Sequence, residues 1–561
     1  SSMIRHFTAK NAISHKSLFS FFLSFFLSFF LSFLVDQKRK LDEALVNMVV
    51  KDSQPFSIVD DCGFKEFVAL LDPTYSLPSR RALKNMVVQR YEVEKTKAKA
   101  VIQRVEAVSL TADMWTSINM DAYLAVTCHY LDESVKLATV LLGVLPFPEA
   151  HTAANITAAT RSLMEEWSIE GKVTSIAGPN MVASVRSLNL RHALCFAHSL
   201  NLVVKKSLDA TPGLQDLRTR ARKVVTLFKT STTAREKLKE VQEQMNRPVM
   251  KLIQEVDTRW NSTFLMLQRL FKERQSVGAA LATLKTDVRP LSSEEYETAS
   301  ACLQLLGPFY QATVELSEEK RVSGSKVIPM IKMLMLYLYD TVGNISHDTA
   351  KQLGQNLVSV MLNKFDTTEN QTALNLSTLL DPRFKTLGFY NQVQAQSSVK
   401  RLTAQCSQVI RDTPTEEQPS TSDQPANVGN PPSTAFSTDD SDATVEVQRY
   451  MVDPPLERSE DPLDYWSKHR NVYPHLYILA KQFLCTPASS VPCERVFSKC
   501  GEIVSKKRNR LNPKTQIHFK SLGDQSKHAS EQEVFSTKTL LARWVRVRAC
   551  EYVIKSLMSI N

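Results

Sequence analysis

The chain has 561 residues, which is enough for two or three domains that each bury a core, and this length excludes a single small module. Hydrophobic residues make up 43% of the sequence and charged residues 23%, which is typical of a folded protein rather than a disordered one. The formal net charge of +11 and a pI near 9.0 favour an acidic partner such as nucleic acid. Nine irregularly spaced cysteines indicate reduced thiols of the nucleus or cytosol.

Residues 1–17 resemble the end of a zinc finger, but they retain one ligand of that motif, His6. Asn11 stands about where a second His or Cys ligand would be expected, and a zinc site generally needs four ligands. We therefore expect no zinc to bind to this remnant, because zinc requires a complete finger.

Residues 18–36 form a tract of Phe, Leu and Ser in which serine recurs at every fourth position from 20 to 32. The apolar run is long enough to approach a membrane span, so a membrane anchor is one interpretation. The regular unit is also what a translated simple nucleotide repeat, or a wrongly predicted exon, would give. We favour this second interpretation because selection for a membrane helix would not produce such regularity.

The chain then changes its pattern twice. Residues 37–107 place apolar side chains at helical spacing and predict a small helical domain. A β-rich stretch follows, with a helix predicted at 152–167 and another near 181–190. The predicted strands are 108–113, 123–130, 137–144, 172–177 and 192–196. This order predicts a mixed sheet with helices on its faces, an α/β fold.

Beyond the sheet, residues from Ser199 to about Ile410 are almost entirely helical in pattern. Residues 411–459 begin with a stretch rich in Pro, Ser, Thr, Asp, Glu and Gln, and we interpret them as a disordered linker. Helical patterning returns at 462–485 and continues to about Leu511. The tail at 526–561 is weakly patterned and supports no functional prediction.

Asp113 ends the first predicted strand, inside the sequence Leu110-Thr-Ala-Asp-Met-Trp-Thr-Ser117. A carboxylate at the end of a strand in a mixed sheet is a natural ligand for a divalent cation. Taken alone, a single Asp in this position is more often a turn residue.

Several blocks in fixed order resemble the hAT superfamily of DNA transposases, in particular the branch with an N-terminal BED zinc finger. The blocks are 53–67, 72–80, 110–117, 195–202, 257–263, 380–384 and 489–511. The resemblance implies a ribonuclease-H-like core interrupted by a large all-helical insertion, next to the N-terminal helical domain. The implied domains are 108–205 for the first part of the core, 206–410 for the insertion, and 460–525 for the last core helix and the C-terminal dimerisation region.

In that family three carboxylates hold two divalent metals for strand cleavage and transfer, so Mg²⁺ or Mn²⁺ would be the cofactor of an active enzyme. Asp113 matches the first carboxylate and Glu494 the third. The second should follow the strand at 172–176, but the chain there reads Ile176-Ala-Gly-Pro-Asn-Met181 and contains no aspartate. Glu165 and Glu166, on the preceding helix, are interpreted as a solvated face. The resemblance thus predicts a relic without catalytic activity.

Other matched residues have two interpretations each. Cys195 and His198 could form a metal pair, but they supply two ligands of the usual four, and packing between strand and helix is the favoured interpretation. Trp260, beside Arg259, stands where the resemblance implies an aromatic ring that stacks on an extruded base, and a core tryptophan is an equal alternative. Residues 506–510 form a basic cluster that could contact phosphates or lie on a solvated face, and it resembles a weak nuclear-import signal. Its basic members are Lys506, Lys507, Arg508 and Arg510.

We expect the chain to form a homodimer through 460–525, because the apolar residues there exceed what one or two helices could bury within their own domain. They are Leu476, Ile478, Leu479, Phe483, Val491, Val496, Phe497 and Ile503. The favoured function is a transposase-derived, DNA-binding, dimerising protein of the nucleus, acting in transcription regulation or DNA binding, with no small-molecule substrate. Two alternatives stay open: an active transposase with a defective gene model, and a membrane-anchored protein if the Phe/Leu/Ser tract is real.

Overall fold

The computed structural model describes residues 35–117, 120–178, 181–317, 321–413 and 438–503. These residues fall into two compact units, one with residues 35–100 and 498–503 and the other with residues 101–497. None of the helices within these ranges is long and apolar enough to cross a membrane. Most of the Phe/Leu/Ser tract and His6 lie outside the described residues.

The first unit is helical, as its sequence pattern predicts. Its elements are α1 at 35–51, a 3-10 turn at Phe56–Asp60, α2 at Cys62–Leu71 and α3 at Arg80–Arg104. Residues 80–100 of α3 belong to this unit. Val49, Leu83 and Val87 are fully buried and form the centre of a small core. Tyr75 donates a hydrogen bond of 2.7 Å to Asp42, which holds the loop before α3 against α1. Helix α2 buries none of its own residues.

A five-stranded mixed sheet lies in the second unit. Its strands are β1 at Val108–Thr116, β2 at Ala122–Leu131, β3 at Leu137–Pro146, β4 at Val173–Ala177 and β5 at Arg191–Ala193. Their order across the sheet is β3-β2-β1-β4-β5. β1 pairs antiparallel with β2 and parallel with β4, and β4 pairs parallel with β5. The predicted mixed sheet is therefore confirmed, and β5 is shorter than predicted because the chain turns into a helix at Phe196.

Two helices join the parallel strands. Helix α4 at Ala153–Trp167 precedes β4, and α5 at Val182–Ser187 lies between β4 and β5. The side chain of Thr152 caps α4 by accepting a hydrogen bond from the Asn155 amide. At the other end of α4, Trp167 is almost fully buried and donates a hydrogen bond of 3.0 Å to the carbonyl of Leu142 on β3. These contacts fix α4 against one face of the sheet.

Ten helices lie between β5 and residue 413 in the described part of the chain, in agreement with the helical pattern of the sequence. They are α6 at Phe196–Asp209, α7 at Pro212–Thr230, α8 at Thr232–Gln244, α9 at Trp260–Lys272, α10 at Arg274–Thr283, α11 at Ser293–Glu315, α12 at Val327–Asn344, α13 at Asp348–Phe365, α14 at Thr372–Leu380 and α15 at Gln392–Asp412. The connection between α8 and α9 is not helical. Glu255 in this connection is buried, and its carboxylate pairs with Arg218 and Arg222 of α7.

The last described elements return to the sheet. They are α16 at Thr438–Val452, α17 at Pro462–His469, α18 at Pro474–Leu484 and α19 at Val491–Ile503. One hydrophobic core is continuous from Ala177 and Ala193 at the sheet, through the helices after β5, to Ala488 before α19. The C-terminal helices are thus part of the same core as the sheet.

The structure corrects the predicted linker at 411–459. Residues up to Asp412 complete α15, and residues from Thr438 form α16. Ala443, Val447 and Tyr450 are fully or almost fully buried, and their spacing of four and three residues puts them on one helix face. The polar composition around these three residues concealed an amphipathic helix.

Five of the eight apolar residues at 476–503 whose surplus predicted a dimer are buried within the chain. Leu476, Leu479 and Phe483 are buried against other helices of the same chain. Val496 is 2% exposed and Phe497 is 5% exposed. The sequence argument counted only the neighbouring helices as partners, whereas elements distant in sequence cover these side chains. These residues therefore give no reason to expect a second subunit at this surface.

Candidate functional site

Asp113 lies near the end of β1, on the sheet face that α19 covers. Side chains alternate between the two faces of a strand, so Asp113 shares its face with Thr111 and Ser109. The hydroxyl of Thr111 is 3.5 Å from the Cys493 thiol of α19. The Asp113 carboxylate accepts a hydrogen bond of 2.9 Å from the Met114 amide.

Burial dominates the electrostatics of this carboxylate. It raises the pKa of Asp113 to about 7, against the opposing effect of the Met114 amide and with a further increase from the negative charge of Glu494. A substantial fraction of Asp113 is therefore protonated at neutral pH. The influence of Glu494 on this pKa places the two carboxyl groups in one electrostatic environment.

Glu494 lies in the first turn of α19. Its side chain is 43% exposed, and the Arg259 guanidinium is 3.8 Å from its carboxylate. The neighbouring residue Cys493 is fully buried, and its thiol lies 3.4 Å from the carbonyl of Thr111 and 3.6 Å from that of Ala125. Cys493 thereby joins the helix of Glu494 to the strand of Asp113.

An aromatic pair strengthens this attachment. The rings of Trp115 on β1 and Phe497 on α19 are stacked, with centroids 5.8 Å apart and planes inclined by 19°. Tyr123 of β2 lies on the same Trp115 ring at 5.6 Å. Aromatic contacts of this kind contribute about 0.5–1.5 kcal/mol beyond the area they bury.

Cys195 and His198 lie at the start of α6, beside the segment that leads into α19. The Cys195 thiol is 3.4 Å from the Ser490 hydroxyl and accepts from the Ser490 amide at the same distance. The amide of Phe196 donates 2.8 Å to the carbonyl of Ala488. These are contacts of a packing residue, and they fasten the N-terminus of α6 to the segment before Glu494.

The charge of His198 is linked to the same site. Burial lowers the pKa of His198, the Lys364 ammonium lowers it further, and the Glu494 carboxylate opposes both effects. Burial also raises the pKa of the Cys195 thiol, and the charge of Asp113 adds to that increase. The structure therefore brings Asp113, Glu494, Cys195 and His198 together, although they are far apart in sequence.

The carboxyl end of β4 is the place where a second carboxylate would be expected, because β4 runs parallel to β1 beside Asp113. Ala177 of β4 pairs with Thr111 of β1. The next residue, Gly178, packs so closely that an added Cβ would be 2.5 Å from the carbonyl oxygen of Ala112. Neither residue offers an oxygen ligand on its side chain, and residues 179–180 are outside the described ranges.

These residues do not fit a two-metal site. Within the ranges that the structure describes, no three His, Cys, Asp or Glu side chains are grouped as metal ligands. Asp113 and Glu494 are two oxygen donors from different elements, and two dications in a phosphoryl-transfer site need a further carboxylate to bridge or share them. Glu165 and Glu166 are exposed on α4.

Trp260 is in the hydrophobic core, with 3% of its surface exposed. Its backbone amide donates 3.1 Å to the Asn201 side chain, and its ring meets Phe264 edge-on. The indole N–H is buried and has no hydrogen-bond partner among the described residues. This is the position of a core tryptophan, and stacking on a base would require the ring to leave it. Arg259, by contrast, is 69% exposed beside Glu494.

Sequence reasoning missed Cys493, Ser490 and Lys364, whose contacts or charge shape the site. The basic cluster at 506–510 is outside the described residues. Of the predicted DNA-binding residues, the structure therefore describes Arg259 and Trp260.

Comparison with known proteins identifies three regions of the chain. Residues 111–204 match the ZBED1 RNase-like domain, residues 193–305 the ZBED1 RNase-like helical domain, and residues 446–517 the hAT family C-terminal dimerisation region. The predicted relationship to the hAT superfamily is confirmed. Asp113 lies in the first of these regions and Trp260 in the second. Glu494 lies in the hAT dimerisation region.

Comparisons that cover most of this chain give the same relationship. The chain is 27% identical to human zinc finger BED domain-containing protein 4, over 86% of this chain and 43% of that protein. It is 26% identical to the putative AC transposase of Zea mays, over 82% of this chain and 62% of the relative. It is 24% identical to the putative transcriptional regulator tpeD of Talaromyces stipitatus, over 84% of this chain and 60% of the relative. The chain thus spans between two fifths and two thirds of the length of these hAT-related proteins.

Proposed function

We propose that this chain is a transposase-derived nuclear protein that binds DNA and dimerises but does not cut DNA strands. The observation that carries the proposal is the composition of the site. Asp113 and Glu494 share one environment, while the adjacent end of β4 consists of Ala177 and Gly178, which supply no carboxylate. The relatives include a putative transposase and a putative transcriptional regulator, and this site fits the second better.

The sheet supports a ribonuclease-H-like core. In our proposal, the antiparallel meander β1–β3 and the parallel strands β4 and β5 form that core, with strand order β3-β2-β1-β4-β5. The helices α7–α15 are the insertion between the first part of the core and the C-terminal helices, and α6 belongs to the core for most of its length. Helix α19 is then the last core helix, since its Cys493 and Phe497 pack directly on β1.

Two physical arguments favour loss of catalysis. A two-metal mechanism needs carboxylates that are ionised and that hold both dications at a fixed separation. Here the end of β4 beside Asp113 consists of Ala177 and Gly178, so the second ligand position is apolar. Gly178 also leaves little room for repair, because a side chain there would collide with the β1 backbone.

DNA binding is supported by charge rather than by a described groove. The net charge of +11 favours a polyanion, and Arg259 is exposed at the site itself. We propose that Arg259 and the basic residues at 506–510 contact phosphates. Dimerisation is supported by the match of 446–517 to the hAT family C-terminal dimerisation region.

A cleavage assay tests the central claim. The purified full chain, with Mg²⁺ or Mn²⁺ and end-labelled duplex DNA, should neither nick nor join strands, while the same preparation should retard the DNA on a gel. Cleavage that disappears in both Asp113→Ala and Glu494→Ala would contradict the proposal. Glu165→Ala, which changes an exposed carboxylate on α4, is the matched control.

A further inference from the structure

The C-terminus of α14 is capped by residues that come much later in the sequence. The last carbonyls of a helix have no partner within the helix and must find one elsewhere when they are buried. Here Tyr450 donates its hydroxyl to the Leu379 carbonyl at 3.0 Å, and the Trp466 indole donates to the Leu380 carbonyl at 2.7 Å. The Leu456 amide donates 3.0 Å to the carbonyl of Pro382, just beyond the helix end.

The capping is reciprocal. The buried Lys385 ammonium donates to the carbonyl of Tyr450 at 2.5 Å and to that of Asp453 at 2.7 Å. These carbonyls belong to the end of α16, so Lys385 satisfies the corresponding acceptors of that helix. The ammonium also lies 4.5 Å from the centre of the Tyr450 ring. Two helix C-termini thus cap each other.

A buried ion pair holds the turn after α14 in shape. Asp381 is fully buried and accepts from the Arg383 guanidinium at 2.7 Å and from the Ser325 hydroxyl at 2.6 Å. Arg383 also reaches the Glu460 carbonyl at 3.4 Å. Asp381 and Ser325 both precede residue 414, so one side of this contact surface is made of residues that come before the C-terminal segment.

The two sides are joined in sequence by residues 414–437, which are rich in Pro, Ser, Thr, Glu and Gln and contain one aromatic residue, Phe436. On the C-terminal side, Tyr450, Trp466 and Tyr473 are each at most 1% exposed. The contacts between the two sides give their association its chemical specificity. A connection of this composition contributes mainly by raising the local concentration of one side near the other.

We propose that the turn at 379–385 is a docking site for the segment 438–484, and that this recognition, rather than the covalent connection through 414–437, holds the segment in place. The turn at 379–385 fits a partner with two features. The partner offers free carbonyls at a helix C-terminus, and aromatic N–H and O–H donors lie beside these carbonyls. Helix α19 and Glu494 follow this segment in the chain, so its docking is needed to bring Glu494 to Asp113. This inference is independent of DNA binding and dimerisation.

A chain cut after folding tests the proposal. A protease recognition sequence is inserted between residues 425 and 426 of the full chain, which is purified, cleaved and passed over a sizing column at about 1 µM. The two pieces should elute together and separate only in denaturant. Separation in native buffer would overturn the proposal.

Removal of single donors tests the capping itself. Tyr450→Phe keeps the ring and leaves the Leu379 carbonyl without its donor, and a buried group left unpaired should weaken re-association of the labelled pieces about fivefold or more. Tyr477→Phe on α18 is the matched control and should stay within about twofold. Circular dichroism of the uncut variants reports folding.

If uncut Tyr450→Phe does not fold, Trp466→Phe takes its place, because it removes the donor to Leu380. If the pieces of the folded variant re-associate with the same affinity as those of Tyr477→Phe, the helix-end carbonyls have no role in docking.

Discussion

The Cys493 thiol lies 3.4 Å from the carbonyl oxygen of Thr111, and this contact joins the helix that carries Glu494 to the strand that carries Asp113. The thiol is fully buried, and burial raises its pKa to about 12, so it remains a neutral donor at physiological pH. The geometry of the two carboxyl groups therefore depends on a side chain that is not itself charged.

We expect Cys493→Ala to destabilise the protein by about 1 kcal/mol, because it removes a buried group and leaves a small cavity. Urea unfolding followed by tryptophan fluorescence measures the change. The exposed Cys62 provides the control, and Cys62→Ala should leave the midpoint unchanged. Equal midpoints for both variants would contradict the anchoring role of Cys493.

Asp113 gives a prediction for the pH dependence of stability. Its folded pKa of about 7 is above its unfolded value near 3.8, so the folded state binds more protons between these pH values. The free energy of unfolding should fall as pH rises from 4 to 7. Asp113→Asn removes this penalty and should be more stable than the parent at pH 8 by about 2 kcal/mol, less than the full shift would give because the carboxyl is partly solvated. The difference should be small at pH 4.

Denaturant titrations of both proteins at pH 4, 6 and 8 measure this difference. Asp132→Asn, in the turn between β2 and β3, supplies the comparison for a carboxylate outside the site. A constant difference between Asp113→Asn and the parent at all three pH values would rule out the elevated pKa.

Lys385 has the opposite pH dependence. Burial lowers the pKa of Lys385 to about 8, although Asp453 opposes the shift, whereas the unfolded value is 10.5. The unfolded state therefore binds more protons between pH 8 and 10.5, and stability should rise with pH in this window by about 1–3 kcal/mol. Lys385→Met should abolish this rise relative to the parent, and the exposed Lys400→Met should retain it. A parent chain and a Lys385→Met variant with parallel pH profiles would contradict the shifted pKa.

The sequence predicts those parts of the fold and the site that depend on residues close together in the chain. The alternation of Val108, Leu110 and Ala112 with polar residues predicted β1 with Asp113 at its end, because strand periodicity is a property of consecutive residues. Helix α16 was missed because three apolar side chains in a polar stretch gain their burial from α14 and α15, which precede them by tens of residues. The role of Cys493 had no local signal, since the carbonyls that it contacts belong to β1 and β2.

Phe497 is another residue whose contacts are distant in sequence, and these contacts change the effect expected of its substitution. It is stacked on Trp115 within the chain, so Phe497→Asp should unfold the second unit rather than release a folded monomer. A buried charge without a partner costs several kcal/mol. Circular dichroism should report loss of structure near 25 °C or a markedly lower melting temperature. A folded Phe497→Asp monomer, beside a dimeric parent in sedimentation, would show instead that Phe497 faces a second subunit.

The remaining carboxylates should weaken DNA binding, because without bound dications they repel phosphate. Glu494 is 43% exposed and is next to Arg259, an exposed cation at this site. We expect Glu494→Gln to tighten DNA binding about two- to threefold at low salt, and Arg259→Ala to weaken it and to reduce the slope of log affinity against log salt by about 1. Gel retardation at several salt concentrations measures both effects. Arg161→Ala is the control, because Arg161 is an exposed residue of α4. Helix α4 packs through Leu163 on Gly143, so it lies on the sheet face opposite Asp113. If Glu494→Gln lowers the affinity, the carboxylate assists binding, and a metal bridge between Glu494 and phosphate becomes the better explanation.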